Sequence, residues 1–249
     1  MTLNKFKLAL AIIVSTLLVA CEQDIRIKED QLGHYVSKEY LDSVKKDKNF
    51  MNYKIPLFEL VMSADDSNIV VYEVSKGKKE LKYQPVKKNL FVINNYYASL
   101  VDAEMSFSAN ALVLRNTTTD EKTEFVKINP SDLKYAAEKN YISYAVPYIN
   151  NLVFVGKYLS GQDTVEFTEV GQVFGLTNIS YYSMCHSKFC REFNQSNTVF
   201  LSNKTNEGNT YEYEFKSDSL FIYKLDFLKD LNREPSKRVE TILAAKKIN

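Results

Sequence analysis

The chain has 249 residues, of which 45% are hydrophobic, and this excludes a wholesale disordered polymer. Lys and Arg number 32 against 31 Asp and Glu, spread along the chain, so there is no concentrated basic field to draw in nucleic acid. Tyr (17) and Phe (15) without Trp suit strands, where flat rings pack on a pleated surface, and only 7 Gly leave most turns to Asn, Asp, Ser and Lys.

Lys5 and Lys7 precede an apolar run from Leu8 to Ala20, broken only by Ser15 and Thr16. Its 13 residues are too few for a bilayer core, which takes ~20 helical residues, and fit the apolar region of an export signal. The run ends in Leu18-Val19-Ala20-Cys21, which resembles the lipobox of bacterial lipoproteins. That resemblance implies that 1–20 are a signal peptide removed before Cys21. It also implies that Cys21 is the lipid attachment site and that acyl chains, palmitate among them, hold the chain on a membrane of the bacterial cell envelope, the outer membrane by expectation. Burial of acyl methylenes at ~0.8 kcal/mol each makes anchoring by two or more chains stable. The alternative is an ordinary secretory signal containing a Cys, which would leave an unpaired exported thiol. Loss of Lys5 and Lys7 leaves 30 basic against 31 acidic side chains. Residues 21–31 are polar and aperiodic, and are expected to be a tether.

From residue 32 onward the sequence predicts a single β domain, 32–249. Gly33-His34-Tyr35-Val36-Ser37 is a short strand, and Ser37 can cap a helix near 38–46 with Tyr40, Leu41 and Val44 on one face. Segments 69–74 and 80–85 flank a Lys-Gly turn and predict a hairpin, with further strands at 89–93, 111–115 and 123–128. Asn129-Pro130 with Asp132 predicts a helix over 130–139. Strands follow at 152–158, 164–168, 172–175, 179–184 and 198–202. Tyr211, Tyr213 and Phe215 alternate with Glu212, Glu214 and Lys216, the cleanest period-two run in the chain. A turn leads into 220–225, and 239–248 fits either a last strand or a Lys-rich helix. Ten to twelve short strands with tight connections predict an antiparallel meander, mainly β, closed as a barrel or folded as a sandwich.

Cys185 and Cys190 remain after Cys21 is assigned to lipid. An oxidising compartment favours a disulfide between them. In a straight helix their Cα atoms would stand ~8.6 Å apart, beyond disulfide reach, so the bond requires a loop. Two free thiols, or a metal site with His186, are the alternatives; the metal site lacks a fourth ligand at usual spacing.

Gly33-His34-Tyr35-Val36-Ser37 is echoed by Gly156-Lys157-Tyr158-Leu159-Ser160, and the second copy runs into Val165-Glu166-Phe167-Thr168-Glu169-Val170-Gly171-Gln172-Val173-Phe174-Gly175. This pattern resembles the lipocalin-like (calycin) lipoproteins of Gram-negative bacteria, whose barrels open with a Gly-x-aromatic strand. Here Tyr stands where Trp is common in that family, and the chain is larger. The resemblance implies a lipocalin-like β-barrel that binds a small apolar ligand. Tyr35, Tyr97, Tyr158 and Tyr182 are candidate ligand-binding residues, because Tyr offers an apolar ring and a hydroxyl that can orient a ligand. In a strand only one residue of each pair Tyr96-Tyr97 and Tyr181-Tyr182 can face the interior.

Catalytic signatures are missing: there is no Gly-x-Ser-x-Gly, phosphate-binding glycine loop, His-Glu-x-x-His or dinucleotide fingerprint. His34 is expected to be a half-buried packing residue on the first strand, and His186 an exposed loop residue. Asp65-Asp66 and Asp102 with Glu104 are the nearest approach to a hydrolytic carboxylate pair. The sequence therefore predicts a membrane-anchored binding protein without cofactor or metal. A structural lipoprotein that docks an envelope protein partner is the second reading, and an enzyme acting on envelope glycans or lipids the third.

Overall fold

A computed structural model describes residues 27–48, 58–62, 68–73, 77–108, 111–137, 143–184, 197–226 and 237–248. The protein is mainly β, and every strand pairing among the described residues is antiparallel, as the meander predicts. The first eight strands are β1 (Gly33–Ser37), β2 (Phe58–Met62), β3 (Asn68–Glu73), β4 (Gly77–Lys87), β5 (Leu90–Ala98), β6 (Val101–Ser108), β7 (Ala111–Asn116) and β8 (Lys122–Ile128). Each pairs with the next, and β8 returns to β1, which closes the barrel.

Eight more strands repeat the plan: β9 (Gly156–Ser160), β10 (Asp163–Phe167), β11 (Val173–Phe174), β12 (Tyr181–Met184), β13 (Thr198–Ser202), β14 (Gly208–Lys216), β15 (Ser219–Asp226) and β16 (Lys237–Ile248). Here too the last strand pairs with the first. The seam lies between β11 and β12, where the Tyr182 N–H donates to the Gly171 carbonyl at 2.7 Å and the Val173 N–H to that of Ser180 at 2.8 Å, so this sheet is nearly closed. The ambiguous C-terminal segment is thus a strand. β2 and β6 were not predicted. In β2 both faces are covered, so Glu59, Leu60 and Met62 are all buried and no polar-apolar alternation marks it.

The two sheets share one construction at their first strands. Tyr35 pairs with Lys127 on β8, and Tyr158 pairs with Lys247 on β16. The Tyr35 hydroxyl donates to the Gln31 carbonyl at 2.9 Å, and the Tyr158 hydroxyl to that of Phe154 at 3.0 Å, each four residues back. Lys127 donates to the Asp30 carbonyl and Lys247 to that of Val155. In both, the lysine stem crosses the opening glycine: a Cβ on Gly33 would stand 3.2 Å from Lys127 Cε, and one on Gly156 2.7 Å from Lys247 Cε. Positive φ at both glycines adds a backbone reason for the residue type. The sequence carries a second mark of the repeat, Lys127-Ile128-Asn129 against Lys247-Ile248-Asn249.

Among the described residues three α-helices join and plug the sheets: α1 (Lys38–Asp47), α2 (Lys134–Ala137) and α3 (Ala145–Val153). Ser37 holds the N-cap position of α1, though its side chain makes no capping bond. Tyr40, Leu41 and Val44 form the buried face of α1, and each stabilises by roughly 1.5–3 kcal/mol on burial. The helix expected over 130–139 is a 3-10 turn, Pro130–Asp132, capped by Asn129, followed by the short α2. α3 was not predicted, and it displaces the start of the strand expected over 152–158 to Gly156. Ala145, Ile149 and Val153 repeat every four residues on its buried face, and Pro147 lies in the first turn, where a missing N–H is harmless. Glu29–Gln31, expected within the tether, form a 3-10 turn instead, and Ile27 and Leu32 pack against the core of the first barrel.

Two hydrophobic clusters result. One fills the closed end and middle of the first barrel, with Leu60, Ile69, Phe91, Ile93, Met105 and Leu112 at its centre. The other fills the second barrel and continues onto α1 and the outer face of β1 and β8 through Val36, Tyr40 and Ile128. No described helix is long and apolar enough to cross a membrane.

Candidate functional site: the mouth of the first barrel

The first barrel is closed at one end by the turn before β1 and hollow at the other, where β3 meets β4, β5 meets β6, and β7 meets β8. A cavity of about 380 Å³ opens there, within the ~300–1,000 Å³ range of small-molecule sites. Its apolar wall is Val71, Leu81, Leu114 and Phe125. The register fixes that choice. Val71 lies opposite Lys79, Leu81 opposite Ile69, and Leu114 opposite Thr123, so all of these side chains share the lumen face.

Tyr96 and Tyr97 both line the cavity, which strict alternation forbids. The pairing of β5 with β6 slips between Ile93 and Ala98, and Asn95 within the slip has φ +53°. Such a bulge turns two successive side chains toward one face. The turn beyond is held by the Asn95 N–H donating to Asp102 Oδ1 at 2.8 Å and the Leu100 N–H donating to Asn95 Oδ1 at 2.7 Å. Burial pushes the Tyr97 phenol up, opposed by a hydrogen bond with the Thr123 hydroxyl, with the charge of Glu121 adding a further rise. Because Thr123 is on β8 and Tyr97 on β5, this bond reaches across the mouth. Lys79 donates to the Asn95 carbonyl at 3.3 Å and forms no ion pair with a described residue.

Of the four tyrosines expected at a pocket, only Tyr97 lines this cavity. Tyr35 is a core residue of the first barrel; burial, with the charge of Asp30 second, raises its phenol to about 12. Tyr158 and Tyr182 belong to the second core. Burial raises Tyr158 to about 12 and Tyr182 well above the usual value, and the Tyr182 hydroxyl donates to the Thr168 carbonyl at 2.6 Å. Tyr181 points outward, as alternation requires.

The second barrel has its centre packed with rings. Phe154, fully buried at the end of α3, lies 5.0–5.7 Å from the ring centroids of Phe167, Tyr182, Tyr213 and Phe215. Tyr213 also donates to the carbonyl of Lys48, at the C-terminal end of α1. A second hollow, about 420 Å³, is an open surface groove between residues 176–180 and 203–205 without aromatic lining.

A second polar cluster is buried between the barrels. Glu59 on β2 is 1% exposed. Its carboxylate accepts from the N–H groups of Tyr144 and Ala145 at 3.0 Å and from the Ser143 hydroxyl, and His34 Nδ1 lies 2.6 Å away. These N–H groups begin α3, where four backbone donors lack intrahelical partners and the helix dipole favours a negative charge. Ser143 and His34 both bond to the carboxylate rather than to each other, so Glu59 is an anchor for the helix. No sequence pattern links residues 59 and 144, and this cluster was not predicted.

Other candidates are committed elsewhere. Glu104 pairs with Arg115, and Asp102 holds the turn at Asn95. Among the described residues no three His, Cys, Asp or Glu gather to hold a metal. Cys21, Asp65, Asp66, Cys185, His186 and Cys190 lie outside the described residues. Compared with known proteins, the chain matches no family model, no curated protein and no solved structure.

Proposed function

We propose that the chain is a lipid-anchored protein of the bacterial envelope that holds a small, largely apolar molecule in the mouth of its first barrel. The contrast between the two interiors carries this reading. Phe154 and its neighbours fill the second barrel, whereas the lumen of the first is lined but not filled at its open end. A cavity kept beside a filled duplicate has a use other than packing, because empty apolar space costs stability. The sequence adds the lipobox ending in Cys21, which supports acylation and anchoring at the outer membrane. The eight-stranded up-and-down plan accords with the lipocalin-like resemblance.

Native mass spectrometry of the chain extracted from its own host tests the ligand. The expected result is a co-purified mass of a small molecule that is lost when Tyr97 and Leu114 are both enlarged or made charged. Protein of bare chain-plus-lipid mass, unable to take up any apolar probe, overturns it. Metabolic labelling with an alkyne palmitate tests the anchor; label should enter the wild type and be absent from Cys21→Ala.

A further inference from the structure

We propose that the first barrel opens sideways between β4 and β5, and that an extended acidic segment of a partner protein binds there as an added strand on the β4 edge. This stands beside the holding of a small molecule and does not require it.

Each side of β4 is paired along only half of its length. Residues 77–82 pair with β3, and the register with β5 begins at Tyr83 opposite Ile93. None of residues 77–82 has a partner on β5, and the slip of β5 against β6 begins at the same residue, Ile93. Burial follows the pairing. Ile69 and Val71 on β3 are buried, but their partners on β4 are not: Leu81 is half-buried and Lys79 exposed. Lys78 and Lys79 are successive strand residues and point to opposite faces, yet both line the cavity. The cavity therefore passes round the edge of β4 and through the wall.

Such an edge presents backbone N–H and C=O groups at the spacing of a sheet, which another extended backbone matches. The side chains select which one. Lys78, Lys79 and Lys82 stand against a single acid, Glu80, which pairs with Lys78. Lys79 and Lys82 form no ion pair with a described residue, and the facing stretch of β5, residues 94–98, carries no charge. A second copy fits badly. Antiparallel pairing of two β4 edges about Glu80 sets Lys78 opposite Lys82 twice and Glu80 opposite Glu80, and like charges directly opposite are destabilising. A segment that alternates acidic and apolar residues fits well. Its acids lie beside Lys78 and Lys82 on the outer face, and its apolar side chains cover the opening beside Leu81.

Hydrogen exchange read at single amides tests this on the full-length chain in zwitterionic lipid nanodiscs. The probes are three octapeptides: Glu alternating with Val, Lys alternating with Val, and the first of these N-methylated throughout. In the free chain the amides of residues 78–82 that face β5 should exchange faster than those that face β3. The Glu-Val peptide should slow them at least tenfold, and the other two should not. Lys82→Glu, at an exposed position, should weaken the Glu-Val peptide about fivefold, the upper size of one exposed ion pair. Lys82→Arg should keep its affinity, and added salt should lower it. Slow exchange of all these amides in the free chain overturns the open edge. Equal slowing by all three peptides, slowing by none, or unchanged affinity in Lys82→Glu overturns the acidic strand. Protection that rises with protein concentration alone assigns the edge to a second copy and overturns it too. Each of these results leaves uptake of an apolar probe, and with it the small-molecule reading, to stand or fall separately.

Discussion

The carboxylate of Glu59, on a strand of the first barrel, accepts the backbone N–H of Tyr144, at the start of the helix that plugs the second. This bond, with those to Ala145, Ser143 and His34, ties the two barrels through one buried acid. Glu59→Ala would leave these donors buried without an acceptor and should destabilise the whole chain by about 3–5 kcal/mol. Glu59→Gln, which turns an amide NH2 toward N–H donors, should cost less but still lower the urea midpoint. A midpoint unchanged in both variants would refute the anchoring role.

Phe154→Ala removes the ring on which the second core converges. The expected loss is about 3–5 kcal/mol, as for a fully buried Phe. Because the first barrel has its own core cluster, probe binding at its mouth should survive where the variant is still folded. Chemical denaturation and probe titration on the same sample check both parts.

Alkaline pH should unfold the protein through its buried tyrosines. Burial raises Tyr35 and Tyr158 to about 12, and Tyr182 and Tyr213 are raised further. In the unfolded chain the phenols lose protons near 10. The folded state therefore holds more protons above pH 10, so stability is complete below that value and is lost as pH rises through 12. Lys247, lowered by burial and by Lys48, acts with the opposite sign, but it is one group against four. Tyrosinate absorbance should show exposed phenols titrating first, then a cooperative rise that coincides with loss of near-ultraviolet dichroism. Smooth titration of all phenols near 10 with the fold intact would contradict the burial.

Asn95 has φ +53° at the slip that turns both Tyr96 and Tyr97 into the cavity. Asn95→Gly should be nearly neutral, because Gly adopts that conformation freely. Asn95→Val should cost about 1–3 kcal/mol in a conformation branched residues avoid, and should weaken probe binding by disturbing the bulge. Thermal melts of the two variants, with a probe titration of each, separate the strain from the site.

Local structure was legible in the residues themselves. Period-two alternation at Tyr211, Tyr213 and Phe215 marked β14, Asn129 and Pro130 marked a helical turn, and Gly-x-Tyr at 33 and 156 marked the opening strand of each sheet. These are short-range effects of pleat, capping and glycine geometry, so they are legible within a few residues. Tertiary structure decided which interior each strand faces. Alternation says that Tyr158 and Tyr182 turn inward, but only their partners across the sheet, and Phe154 from an unpredicted helix, decide that this interior is full. The bulge at Asn95 placed two tyrosines where alternation allows one. Glu59 gained its role from residues more than eighty positions away. Strand pairing and helix plugging act over the whole chain, and a single sequence read locally carries no record of them.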